Sequence, residues 1–108
     1  MKKITEEELK EILSNHELWI EDNTKGECAH FDGEDFSGMN FASADLRKAK
    51  FLRSNMSGSD LNGANLFKVD FTESDLTDVD LSYSNLSGTD FSKANLAGED
   101  FSWANIVR

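Results

Sequence analysis

The chain has 108 residues, which is enough for one domain, and its 21 acidic and 11 basic residues give a formal charge of −10. That balance argues against binding nucleic acid through its phosphates, which requires clustered Lys and Arg, and the single Cys28 cannot form an intrachain disulfide. Because no segment approaches the ~18 apolar residues of a membrane helix, and Glu6–Glu8 interrupt any signal-peptide pattern, we expect a cytoplasmic protein without membrane contacts.

Residues 1–28 are predicted to form a helical cap and a link. The segment Thr5-Glu6-Glu7-Glu8 is a capping box, with Thr5 as N-cap and Glu8 at the third helical position. Ile4 and Leu9 occupy the hydrophobic-staple positions around it. An apolar stripe at helical spacing follows, formed by Leu9, Ile12, Leu13 and His16. We therefore predict a helix from about Glu6 to Asn15, or as far as Ile20, folded over the start of the next segment.

A five-residue repeat fills the remainder of the chain, residues 29–108. Every fifth residue is large and apolar: Phe31, Phe36, Phe41, Leu46, Phe51, Met56, Leu61, Leu66, Phe71, Leu76, Leu81, Leu86, Phe91, Leu96, Phe101 and Ile106. A period of five leaves no continuous stripe on a helix, and in a strand it alternates between faces. The pattern instead predicts a backbone that turns a corner about once per repeat and winds into a coil with one inward side chain per repeat.

The residues around each central position support this interpretation and carry a family resemblance. Small residues precede the centre by two places in 13 of 16 repeats, the exceptions being Glu34, Met39 and Glu99. Asp or Asn precedes it by one in 14 of 16 repeats, and Gly recurs two places after it. This A(D/N)LxG outline resembles the pentapeptide-repeat family over residues 29–108. The resemblance implies an all-β solenoid, a right-handed quadrilateral β-helix with four repeats per coil, and hence coils at 29–48, 49–68, 69–88 and 89–108.

The implied fold would place four residues in each interior column. Phe31, Phe51, Phe71 and Phe91 would stack as one column of the structural core. Outside, Tyr83 and Trp103 would be adjacent at the same corner position, and Leu52 and Phe67 also occupy outward positions. Because exposed aromatic and apolar groups are enriched in binding patches, these four residues form the predicted interaction patch.

The C-terminal coil has no predicted cap, and a solenoid exposes raw edges at its ends. We predict an end-to-end homodimer through this coil, with contacts from Glu99, Phe101, Ile106 and Val107. Two alternatives remain open: charged Glu99 and Arg108 blunt the edge, or the chain is part of a longer solenoid.

The sequence contains no catalytic or cofactor-binding motif, and we expect neither enzyme activity nor a cofactor. Cys28 and His30 flank Ala29 where the link meets the first coil, but two ligands are too few for a structural zinc site. Asp60, Asp80 and Asp100 would form one outward column, although Asp or Asn at that position serves the corner in 14 of 16 repeats.

The sequence leaves two functions open. The first is a non-catalytic scaffold that binds an unidentified protein. The second comes from the resemblance, because some family members resemble DNA in size and charge, bind type II topoisomerases such as gyrase and confer quinolone resistance. Counted coil by coil, the charge argues against such mimicry, because residues 49–68 have only Asp60 against Lys50, Arg53 and Lys68. Four coils would also span only ~19 Å.

Overall fold

A computed structural model describes residues 1–106 of the protein. Its regular elements are one helix, α1 (Glu6–Glu21), and two short strands, β1 (His30–Asp32) and β2 (Lys50–Leu52). The strands pair in parallel with Phe31 opposite Phe51. No helix within the described residues is long and apolar enough to cross a membrane.

Helix α1 begins where the capping box predicts and ends later than its stripe indicated. The Glu8 N–H donates to Thr5 Oγ1 at 3.1 Å, and the Thr5 N–H donates to Glu8 Oε1 at 3.1 Å. The helix continues through Glu21, and the Asp22 N–H donates to the Leu18 carbonyl at 3.0 Å. The capping box therefore satisfies donors that the first helical turn would otherwise leave unpaired.

From Asp35 onward the backbone pairs with itself at intervals of twenty residues. Parallel bridges join Asp35 to Asn55, Asp60 to Asp80, and Asp80 to Asp100, with equivalent bridges between them. The Asp60 carbonyl, for example, accepts from the Phe41 N–H at 2.7 Å. Each bridged residue therefore lies against the one twenty places later, a spacing of four five-residue repeats.

Most corners are β-turns that run from a central residue to the first residue of the next repeat. The Ala44 N–H donates to the Phe41 carbonyl at 3.0 Å, and Ser43 at the third turn position has φ of 59°. Type II turns require positive φ there. The same left-handed conformation occurs at nine residues other than Gly: Ser43, Lys48, Arg53, Lys68, Glu73, Asp78, Tyr83, Lys93 and Trp103.

Where Asp or Asn precedes the centre, it stabilises its repeat locally. Its Oδ1 accepts the backbone N–H two residues later, as in the bonds from Ser37 to Asp35 and from Ser102 to Asp100, both 2.9 Å. Asx turns of this kind explain why the repeat uses these two residue types.

The core is formed mainly by the central side chains, and its middle is the most deeply buried part. The rings of Phe31, Phe51, Phe71 and Phe91 stack with successive centroid distances of 6.1, 5.8 and 5.8 Å. Phe51 and Phe71 are fully buried, whereas Phe31 and Phe91 are half-buried at the two ends. Burial of apolar groups is the main stabilising contribution.

The N-terminal segment and α1 contact the first coil through directed hydrogen bonds. The Ile4 N–H donates to the Asp35 carbonyl, and the Asp35 N–H donates to the Lys2 carbonyl, both at 2.9 Å. Fully buried His16 bonds through Nδ1 to the Ala29 N–H and through Nε2 to the Arg47 carbonyl, each at 2.9 Å. Because a backbone N–H can only donate, Nδ1 is the acceptor and Nε2 carries the proton.

Candidate interaction surfaces

Tyr83 and Trp103 are the most exposed aromatic residues of the solenoid. Their side chains are 63% and 81% exposed, and both have φ of 60°. The Tyr83 N–H donates to the Ser102 carbonyl at 2.9 Å, which places Tyr83 and Trp103 one above the other at the same corner. We call this pair the aromatic column.

The remaining two residues of the predicted patch belong to other repeats. Leu52 follows the centre of the repeat 49–53, and Phe67 follows the centre of the repeat 64–68; both are half-buried. The Lys68 ammonium lies 5.2 Å from the Phe67 ring centroid. The structure therefore does not join all four predicted residues into one surface, and the aromatic column is its exposed part.

The C-terminal end presents core residues to solvent. Phe101 is 38% and Ile106 is 63% exposed, while Phe91 and Leu96 are half-buried. Both carboxylate oxygens of Glu99 are buried and have no hydrogen-bond partner. Burial, with the nearby charges of Asp78 and Asp75, raises the pKa of the Glu99 carboxyl. Val107, the fourth predicted contact, lies outside the described residues.

Charge is segregated around the solenoid when residues are grouped by side instead of by coil. Residues 34–43, 54–63, 74–83 and 94–103 stack on one another and contain eight acidic residues and no Lys or Arg. We call this side the acidic half. The other described repeats contain five acidic and six basic residues, and there Arg53 pairs with Asp32.

The acidic half is also where the aromatic column lies, at the ends of the repeats 79–83 and 99–103. At its base Lys3, from the N-terminal segment, pairs with Asp35 at 3.9 Å. The bases that made residues 49–68 net positive, Lys50, Arg53 and Lys68, all belong to the opposite side. The twenty-residue register therefore gathers acidic residues of every coil on one side of the solenoid.

The other candidate groups are Cys28, His30 and the outward column of Asp60, Asp80 and Asp100. The Cys28 thiol lies 3.7 Å from the Lys48 carbonyl, and burial raises the pKa of that thiol, while His30 is exposed. Within residues 1–106 no three His, Cys, Asp or Glu side chains are placed to hold a metal ion. In the outward column, Oδ1 of Asp60, Asp80 and Asp100 accepts the backbone N–H two residues later in each case.

Sequence reasoning missed three features that the structure contains. The sequence does not predict positive φ at corners occupied by Lys, Glu or Trp, because Gly is the residue type that indicates this conformation. His16 was assigned to an apolar stripe, although both of its ring nitrogens bond backbone groups. The charge segregation has a signal in the sequence, because residues 34–43, 54–63, 74–83 and 94–103 contain acidic residues and no Lys or Arg.

Comparison with known proteins identifies the class to which this fold belongs. Residues 27–102 match the family model described as a pentapeptide repeat region. The chain is therefore a member of the pentapeptide-repeat family, and its fold is that of the family's β-helix proteins. A search of curated proteins finds no match.

Two solved structures illustrate the similarity. HetL, a pentapeptide repeat protein involved in heterocyst differentiation regulation in the cyanobacterium Nostoc, is 30% identical with a TM-score of 0.69; the match covers 72% of this chain and 36% of HetL. A pentapeptide repeat protein of the Arabidopsis thaliana thylakoid lumen is 28% identical with a TM-score of 0.71, covering 76% of this chain and 57% of that protein. The chain thus spans about a third to just over half of these proteins.

The fluoroquinolone resistance protein QnrB1 also matches, at 16% identity and a TM-score of 0.33. The match covers 74% of this chain and 61% of QnrB1. A similarity that distant carries no argument about function.

Proposed function

We propose that the protein is a non-catalytic scaffold that binds another protein through the aromatic column. The observation that carries this proposal is the presence of two large, exposed aromatic side chains at positive φ. A residue other than Gly is disfavoured in that conformation, and exposed apolar surface adds nothing to the core. Since neither the backbone nor the packing benefits from Tyr83 and Trp103, a contact outside the chain is the better reason for them.

The other outward polar side chains support a scaffold rather than an enzyme. Most outward Asp and Asn residues use one side-chain oxygen to accept the hydrogen bond of the Asx turn in their own repeat. Asp75, for example, accepts from the Thr77 N–H at 2.9 Å. Groups held in that way serve the backbone. The proposed partner is a protein, because the acidic half would repel nucleic acid phosphates.

The proposed finer architecture is a right-handed, four-sided helix of four coils with α1 as its cap. Four turns per twenty residues support the four-sided cross-section, and the bonds of His16 to both Ala29 and Arg47 support a docked cap. The Lys3 ammonium adds a hydrogen bond to the Ser37 carbonyl of the first coil.

Affinity capture with a matched control tests the proposed function. We expect a Tyr83→Gly/Trp103→Gly variant to lose a partner that the unmodified protein captures from a bacterial lysate. Lys93→Gly is the control, because Lys93 has φ of 57° at an equivalent exposed corner but carries no ring. Equal capture by all three proteins, with the double variant folded, would contradict the proposal.

A DNA-mimicking modulator of gyrase is the second candidate, and the acidic half is the observation that favours it. That side extends through every coil without a Lys or Arg of the solenoid. Against it stand the basic residues of the opposite side and the short length, since DNA presents a phosphate per ~1.7 Å of axis. A gyrase supercoiling assay decides: inhibition or drug protection at micromolar protein supports mimicry, and unchanged supercoiling removes it.

A further inference from the structure

Resting on the proposed function, we infer that the aromatic column binds an arginine-containing, basic segment of the partner protein. The column lies at the edge of the acidic half, whose residues 34–43, 54–63, 74–83 and 94–103 contain no basic side chain. A partner segment that docks on Tyr83 and Trp103 therefore meets negative charge along one side. Charge complementarity selects a basic occupant over an acidic or uncharged one.

The acidic side chains in the two repeats that carry the column are held by Asx turns and have an acceptor to spare. Asp80 precedes Tyr83 by three residues on the same face, and Asp100 precedes Trp103 by three. Asp80 Oδ1 accepts from Ser82 N–H at 2.9 Å, and Asp100 Oδ1 accepts from Ser102 N–H at 2.9 Å. The second oxygen of each carboxylate, Oδ2, makes no hydrogen bond within residues 1–106.

Arginine fits this arrangement better than lysine does. Its planar guanidinium stacks on aromatic faces and donates paired hydrogen bonds to carboxylates, whereas an ammonium is a hydrated point charge. One guanidinium over Trp103 with a bond to Asp100, and a second over Tyr83 with a bond to Asp80, would use both kinds of group at once. The bridges between Asp80 and Asp100 put the two sets one coil apart, ~4.8 Å along the axis.

The experiment measures binding of a Gly-Ser peptide that carries arginines, with the same peptide carrying lysine or uncharged citrulline as comparison probes. Asp80→Asn/Asp100→Asn removes two charges and keeps the Asx turns, because Asn40 already accepts the Ala42 N–H at 2.9 Å in the same repeat position. Asp70→Asn/Asp90→Asn is the matched control, with the same change in charge at the same repeat position on the opposite side.

We expect the arginine peptide to bind more tightly than the lysine peptide, and the citrulline peptide not to bind. Asp80→Asn/Asp100→Asn and Tyr83→Gly/Trp103→Gly should each weaken binding about three- to tenfold, and the control should change it less than about twofold. Equal weakening by both Asp→Asn pairs would overturn the inference, because it would indicate attraction by net charge alone.

The failure of this inference and that of the proposed function are distinguishable. If the lysate partner is lost with Tyr83→Gly/Trp103→Gly but retained by Asp80→Asn/Asp100→Asn, the aromatic column binds a partner without basic residues and only the inference is wrong. If the lysate partner is retained by the aromatic variant, the proposed function is wrong as well.

Discussion

At the scale of single residues, His16 shows how one side chain fixes the helix to the solenoid. Its ring is fully buried and both nitrogens are used, Nδ1 as acceptor for the Ala29 N–H and Nε2 as donor to the Arg47 carbonyl. Protonation of Nδ1 would place one N–H against another. Burial lowers the pKa of His16, and the nearby Asp45 carboxylate only partly opposes that shift, while the charge of Arg47 reinforces it.

This geometry predicts that the fold loses stability in acid over the pH range in which His16 becomes protonated. Because its pKa is lower in the folded than in the unfolded chain, the stabilising contribution is complete above ~6.5 and is lost as pH falls through the folded value. Urea unfolding at several pH values checks it. His16→Gln keeps a donor and an acceptor without titrating, so its stability should change less between pH ~7 and ~5 than that of the unmodified protein. An equal pH slope for both proteins would exclude His16 as the cause.

Glu99 predicts a pH dependence of the opposite sign. Its carboxylate occupies a position that small residues fill in most repeats, and its buried oxygens lack partners. Because burial raises the pKa of Glu99, the folded state is penalised as pH rises above the unfolded value, and the penalty persists at neutral pH. Glu99→Gln should raise the melting temperature at pH ~7 and have little effect at pH ~3.5. Glu73→Gln, at an exposed corner, is the control; the same rise there would indicate a general effect of net charge.

At the scale of elements, the phenylalanine column predicts a gradient of stability along the axis. Phe71 is fully buried between Phe51 and Phe91, and Phe91 is half-buried at the end. We expect Phe71→Ala to lower the free energy of unfolding by about 3–5 kcal/mol and Phe91→Ala to lower it by clearly less. Chemical denaturation of both variants tests the difference. Equal losses would mean that the column does not pack more tightly at its centre.

Much of this architecture could be predicted because two sequence signals have direct physical causes. The five-residue apolar period excludes a regular helix or strand, and the capping box sets the beginning of α1 at Glu6. The sequence leaves the end of α1 open between Asn15 and Ile20, because the apolar stripe stops at His16, whose inward role depends on the first coil; the helix ends at Glu21. Of the predicted patch, Tyr83 and Trp103 are exposed, whereas the half-burial of Leu52 and Phe67 depends on neighbouring coils.

At the scale of the whole molecule, the two ends of the solenoid have different hydrogen-bonding chemistry. In each repeat two N–H groups and one carbonyl point toward the C-terminal end. In the repeat 69–73 these are the N–H groups of Phe71 and Glu73 and the carbonyl of Val69. The opposite end is therefore rich in acceptors, and there the N-terminal segment supplies donors such as the Ile4 N–H. At the C-terminal end the N–H groups of Phe91, Lys93, Leu96, Gly98, Phe101 and Trp103 have no carbonyl partner within residues 1–106.

This polarity bears on the end-to-end dimer that we propose for the last coil. A two-fold arrangement would place N–H donors mainly against N–H donors. Backbone hydrogen bonds could therefore satisfy only part of each edge. Apolar contact between the exposed Phe101 and Ile106 side chains would have to stabilise the dimer. We therefore expect Phe101→Asp to convert a dimer to monomer, measured by sedimentation at micromolar concentration. Trp103→Gly, which changes the side wall and leaves those two side chains in place, should not alter the sedimentation. A dimer that survives Phe101→Asp would show that the contact lies elsewhere, and a monomer for the unmodified protein would remove the dimer.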